Sequence, residues 1–201
     1  MIELIGIPGA GKSYFHEHIS RISYKDVCAP QKIKTRDQLR QLFVSRNLFI
    51  IILYCLINTA RWRMKLISLK WLLKFIFRKN SMFIEDEGFI QRLVGILVPE
   101  TGSLNKIQKF LIKKLDLRSA KTNILIHAPV DIAFKRIENR KAILRFQGLN
   151  KIEILRILNG FDLVIKELKN NSSFKYQTVN NSLNNMVLFR DIEKILITSY
   201  D

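Results

Sequence analysis

The chain has 201 residues, with 34 Lys and Arg against 17 Asp and Glu and a formal net charge of +17. That length fits one domain with a sizeable core, and two cysteines, Cys28 and Cys55, exclude a disulfide framework and a cysteine-based metal site. The charge favours polyanionic partners (a nucleotide, a nucleic acid or an anionic membrane), and a compositional bias toward Lys, Asn and Ile accounts for the same excess equally well.

Met1–Ile5 reads as a short buried strand. It runs into Gly6-Ile7-Pro8-Gly9-Ala10-Gly11-Lys12-Ser13, which spells G-x-x-x-x-G-K-S, and Lys12 onward reads as a helix with Phe15, Ile19 and Ile22 at helical spacing. Strand, glycine-rich turn and helix together are the context of a phosphate-binding loop. The glycines let the backbone curl around an anion and aim successive N–H groups at it. The helix adds its positive end to the same spot. On this reading Gly6, Pro8, Gly9, Ala10, Gly11, Lys12, Ser13 and Tyr14 hold ATP. Lys12 reaches the β- and γ-phosphates, and Ser13 offers its hydroxyl to Mg²⁺. No basic stretch followed by an apolar run opens the chain, so no secretory signal is expected, and a cytoplasmic setting suits an ATP–Mg²⁺ ligand.

A strand near Tyr24–Cys28 comes next. From Gln38 to Ile84 there is no acidic residue among nine Lys and Arg, and Leu48–Ile57 is an apolar run of ten. Crossing a bilayer needs roughly twenty such residues, so this run, with Leu39, Leu42 and Phe43, predicts a buried helix. Arg61–Lys79 predicts a helix with two apolar sides. Trp62, Leu66, Leu69, Leu72, Leu73, Ile76 and Phe77 share one face, and Met64, Trp71 and Phe75 lie near the opposite one. Lys and Arg line both edges. Either the helix packs on two sides with its basic heads reaching solvent, or its aromatic stripe makes a peripheral contact with an anionic membrane.

Ser81–Ile84 is the next strand, ending in Glu85, Asp86 and Glu87. Helices follow at Phe89–Val98 and Leu104–Leu115. A strand at Thr122–Ile126 turns at His127-Ala128-Pro129 into a helix over Val130–Lys141. Lys151–Lys169 is helical, Asn170–Ser173 a loop, Phe174–Val179 the last strand and Leu183–Thr198 a closing helix. Alternation of this kind predicts an α/β protein with a doubly wound parallel sheet. Asn105-Lys106-Ile107-Gln108 and Asn150-Lys151-Ile152-Glu153 imitate the guanine-binding Asn-Lys-x-Asp. Neither follows a strand or carries the Asp, so both are discounted as guanine-binding motifs. Nothing resembles the Leu-Ser-Gly-Gly signature of transporter ATPases.

Three features together resemble the small P-loop kinases of the nucleoside and nucleotide kinase group, with thymidylate kinase as the comparison. They are the phosphate loop, the strand ending Phe83-Ile84-Glu85-Asp86-Glu87-Gly88, and the segment Ile124–Arg140 with Pro129-Val130-Asp131 ahead of Arg136 and Arg140. The resemblance implies a three-layer P-loop NTPase fold with a helical substrate and lid region. It implies one domain over residues 1–201, with 30–80 as a helical insertion or acceptor region and 141–150 as a lid. Residues 30–79 carry neither the Asp-Arg-Tyr type of motif nor the group's usual substrate pattern, so the acceptor is left open.

The resemblance also implies site roles. Asp86 coordinates Mg²⁺ through water or takes the acceptor's proton, and Glu85 and Glu87 compete for that role because a one-residue register error exchanges them. Arg136 and Arg140, four apart on one helical face, and Arg145 in the lid stabilise the transferred phosphoryl group. Gln91 and Arg92 are expected at the acceptor, and Asn180, in the loop Asn180-Asn181-Ser182, at the adenine. Asp131 serves the helix N-terminus. His16 and His18 point to different sides of their helix, and His127 is expected to be structural. The segment from Lys141 to Asn150, with Gly148 and few apolar anchors, is expected to be mobile. The function this supports is an ATP-dependent kinase of a nucleoside, nucleotide or related acceptor. Two rivals stay open: a kinase of a sugar or lipid-linked acceptor at the membrane face, and a nucleotide-dependent switch or nucleic-acid-binding protein with no acceptor.

Overall fold

The computed structural model describes residues 2–23, 51–52, 54–55, 66, 69–70, 84–85, 88–99, 102–114, 122–140 and 146–181. Among the described residues, four strands form one parallel sheet. They are β1 (Ile2–Ile5), β2 (Ile84–Glu85), β3 (Thr122–His127) and β4 (Gln177–Asn180), in the spatial order β2-β1-β3-β4. Glu3 pairs with Glu85 on one side of β1 and with Asn123 on the other, and His127 pairs with Asn180. The chain leaves β1 toward β2, then returns past β1 to build β3 and β4. Its direction of growth therefore reverses between β1 and β3, and ligands of open parallel sheets sit at such a reversal, beyond the strands' carboxyl ends.

The central strand β1 is buried at every position, as a strand covered on both faces must be. Helix α1 (Lys12–Ser23) follows the loop and buries Phe15 completely. Helix α2 (Phe89–Leu97) is apolar nearly all round and buries seven of its nine residues, the pattern of a helix enclosed by the core. It packs on β1 and on α5 (Lys151–Lys169). Glycine makes that approach close: a Cβ at Gly160 in α5 would stand 2.8 Å from Val98 Cγ1. Phe161, Leu158, Val164 and Leu168 of α5 are fully buried, and deleting one such aromatic ring costs about 3–5 kcal/mol.

The two Asn-Lys-Ile segments open helices. Asn105 Oδ1 accepts the N–H of Gln108, and Gln108 Oε1 accepts the N–H of Asn105, both at 2.8 Å, ahead of α3 (Lys106–Lys114). Asn150 and Glu153 make the same reciprocal pair ahead of α5. Each is a capping box that satisfies backbone N–H groups the helix leaves over.

Element positions follow the sequence reading closely, with corrections at the ends. The second strand includes Glu85. The third continues through His127, and the fourth begins at Gln177, after Phe174 and Tyr176, whose rings stack at 5.0 Å. The helix before the lid segment, α4 (Val130–Glu138), ends three residues earlier than expected. The lid segment's described end, 146–150, is anchored: Phe146 is buried, Leu149 packs on the core and Asn150 caps α5. Ile51, Tyr54 and Cys55 are helical and buried, in keeping with the helix expected there. Of the basic aromatic helix only Leu66, Leu69 and Lys70 are described. Leu69 packs on the core, whereas Leu66, expected on the same face, is 40% exposed. The strand at 24–28, the rest of 61–79 and the helix at 183–198 lie outside the described residues. Among the described residues no helix is long and apolar enough to cross a membrane.

Candidate functional site

The loop between β1 and α1 carries two left-handed residues, Gly9 at φ 82° and Gly11 at φ 99°. Side chains are strained there, and space is also lacking. A Cβ at Gly9 would lie 2.5 Å from the carbonyl oxygen of Ala133, and one at Gly11 would strike the Asn181 amide. The Ala10 N–H bonds Ile7 O at 3.1 Å, and the Phe15 N–H bonds Gly11 O to begin α1. Lys12 Nζ donates to Gly6 O at 2.8 Å and to Ile7 O at 3.1 Å, so its charge lies over the loop it would serve. Pro8 and Ala10 are buried, and Ser13 and Tyr14 in the first turn of α1 are exposed. A curled backbone, a helix N-terminus and an ammonium together form an anion cradle.

The core side of the loop is held by a relay that starts inside the sheet. Glu3, in the middle of β1, is fully buried. Its Oε1 accepts the N–H of Gln91 at 2.8 Å, and Gln91 Oε1 accepts the N–H of Gly6 at 2.9 Å. Gly88, the residue before α2, offers that helix no side-chain cap. The Glu3 carboxyl group takes the capping part from a different element, accepting an N–H that the first turn of the helix leaves over. Gln91 was expected at the acceptor, but its amide is buried and engaged with the loop; Arg92 beside it is half-buried.

The outer side of the loop meets α4 and the end of β4. Arg136 Nη1 donates to Gly9 O at 3.4 Å, and Nη2 to Asn181 O and Oδ1 at 3.2 and 3.3 Å. Asn181 Nδ2 donates to Ala10 O at 2.6 Å, while the Asn181 N–H continues the sheet ladder to His127 O at 2.7 Å. Burial, and secondarily the charge of Arg140, push the Arg136 guanidinium below its usual pKa. Arginine remains cationic at neutral pH regardless. Arg140 is exposed, as is Asp131 in the first turn of α4.

The structure thus brings Gly6, Gly9, Ala10, Gly11, Lys12, Gln91 and Arg136 together. Asn180 is exposed at the end of β4, and the residue that reaches the loop is its neighbour Asn181. Glu85 lies in β2, opposite Glu3 in the register. Asp86, Glu87 and Arg145 lie outside the described residues. Glu3 is the residue that sequence reasoning passed over. Its signal was an acid inside an apolar strand, which has to find partners in the core.

The site's donor chemistry suits magnesium held mainly by a substrate. Mg²⁺ keeps several waters and takes one or two protein oxygens beside phosphates, and the exposed Ser13 hydroxyl at the helix N-terminus would fit as one such oxygen. Among the described residues no three His, Cys, Asp or Glu side chains gather to hold a metal ion by themselves.

Neither the protein-family models nor the curated proteins yield a match. Among solved structures, the chain is similar to a deoxyadenosine kinase from M. mycoides determined with bound dATP. The TM-score is 0.56 and the identity 16%, over 97% of this chain and 98% of that one. The likeness is at the level of fold and singles out no thymidylate kinase. The chain shares its overall fold with that structure, a parallel sheet flanked by helices.

Proposed function

We propose that this protein is an ATP-dependent phosphotransferase that moves the γ-phosphoryl group to the hydroxyl of a nucleoside or a closely related small acceptor. The observation that carries the reading is the phosphate loop at the sheet's reversal point, with Lys12 folded over it and Arg136 bonded to its outer side. Near-complete mutual coverage with a deoxyadenosine kinase supports a nucleoside over a nucleotide or sugar as acceptor.

Phosphoryl transfer asks for alignment and charge neutralisation more than for covalent chemistry. The loop N–H groups and Lys12 hold the triphosphate, and Ser13 would contribute an oxygen to a bound magnesium ion, which would supply neutralisation of phosphate charge. Asp86 takes the proton of the acceptor hydroxyl as its oxygen attacks the γ-phosphorus and ADP leaves. Arg140 and Arg145 place guanidinium charge on the transferred group.

The test is ADP release measured with a panel of nucleosides that includes deoxyadenosine, and with nucleotides and sugars. Turnover that requires a nucleoside and yields its monophosphate is the expected result. Hydrolysis indifferent to every acceptor would favour a nucleotide-driven switch. Turnover with a sugar or lipid-linked acceptor alone would move the site to that class.

A further inference from the structure

We infer that Asn181 and Arg136 are positioning residues that brace the phosphate loop from outside and thereby set the shape of the backbone that receives the triphosphate. The inference rests on the loop being an anion cradle and adds the device that sets its shape.

A trans peptide holds its C=O and N–H on opposite sides of the chain, and the described chain contains no cis bond. Pinning a carbonyl outward therefore turns the next residue's N–H inward. Two consecutive carbonyls of the loop are pinned in this way. Gly9 O receives Arg136 Nη1, and the following Ala10 N–H points across the loop to Ile7 O. Ala10 O receives Asn181 Nδ2, which directs the Gly11 N–H into the cradle. Gly11 occupies the left-handed region, which glycine enters without strain, so the turn of the loop at this peptide depends on that residue.

The brace is itself rigidly placed. Asn181 is 3% exposed, and its N–H is tied to the ladder of β3. Its O and Oδ1 both accept from Arg136, so the guanidinium fork bridges the loop and the end of β4 in one plane. Ala133, one turn before Arg136, has its carbonyl oxygen against Gly9, which leaves α4 little freedom to leave the loop. Arg136 accordingly belongs to the frame of the site, and the role of a group closing on the substrate falls to the exposed Arg140.

Calorimetric titration with magnesium tripolyphosphate, MgATP and adenosine tests this, because tripolyphosphate reports the cradle without the nucleoside. Asn181→Ala should weaken tripolyphosphate and MgATP by the same factor, about tenfold, roughly the worth of one lost oriented contact. Arg136→Ala should do likewise. Arg136→Lys should recover only part, since an ammonium cannot bridge Gly9 O and Asn181 together. If Asn181→Ala does not fold, the Arg136 pair decides the matter. Exchange of the Gly11 amide gives a second readout: tripolyphosphate should slow it in the wild type and not in the Asn181→Ala protein, whose Ala10 carbonyl is no longer held. Loss of MgATP affinity with tripolyphosphate binding intact would make Asn181 a nucleoside contact and overturn the brace. Unchanged binding in these variants beside a Lys12→Ala protein that has lost tripolyphosphate would overturn the brace and keep the cradle. A wild type that binds no tripolyphosphate would overturn both.

Discussion

Glu3 and Gln91, 88 residues apart in sequence, are joined by a buried hydrogen bond of 2.8 Å from the Gln91 N–H to Glu3 Oε1. It ties the central strand to the first turn of α2, and the Gln91 amide passes the constraint on to Gly6. Both halves of the relay are buried, so each group left without its partner costs about 1–3 kcal/mol. Glu3→Ala and Gln91→Ala should each lower the urea unfolding free energy by about that much. The double variant should fall short of the sum by more than about 0.5 kcal/mol. Strict additivity would show that the two side chains act separately.

Lys12 donates from its ammonium to Gly6 O and Ile7 O, both carbonyls of its own loop. Lys12→Ala should keep the wild-type circular dichroism and melting temperature within a few degrees. Phosphoryl transfer should fall by at least about two orders of magnitude, through the loss of a charge on the β- and γ-phosphates. Wild-type turnover in this variant would remove the phosphate-loop assignment.

Asp86 follows β2, whose last residue stands opposite Glu3 in the register. As base or metal ligand, Asp86→Asn should lower kcat by about two orders of magnitude or more. Full activity in Asp86→Asn beside an inactive Glu85→Gln or Glu87→Gln would transfer the role to that neighbour.

Arg140 is exposed at the end of α4, one turn beyond the loop-bound Arg136. A guanidinium that meets the phosphoryl group chiefly in the transition state acts on kcat far more than on ATP affinity. Arg140→Ala should therefore lower kcat at least about tenfold while shifting the ATP dissociation constant less than about threefold. Equal losses in both would make Arg140 a ground-state phosphate contact.

The capping box of Asn105 and Gln108 opens α3. Asn105→Ala should reduce the unfolding free energy by about 1 kcal/mol and leave turnover unchanged. A fall in turnover would connect α3 to the site.

The sequence by itself determined the phosphate loop, its flanking strand and helix, and the α/β class. All three are local: glycines at left-handed positions, a lysine and a serine at fixed offsets, and apolar periods that change from two to about 3.6 residues. It also raised the two Asn-Lys-Ile segments as motif candidates. Neither follows a strand or carries the Asp, so both fail as guanine sites on the sequence alone, and their place ahead of α3 and α5 shows them to be helix caps instead. Tertiary structure alone decided what holds the loop. Gln91 proved to be a strut of the loop, Glu3 the distant cap of α2, and Asn181 rather than Asn180 the contact with Ala10, across 171 residues of chain. No local pattern encodes such partners. A buried donor must find an acceptor, but which one it finds depends on the strand order that brings β1, β3 and β4 side by side.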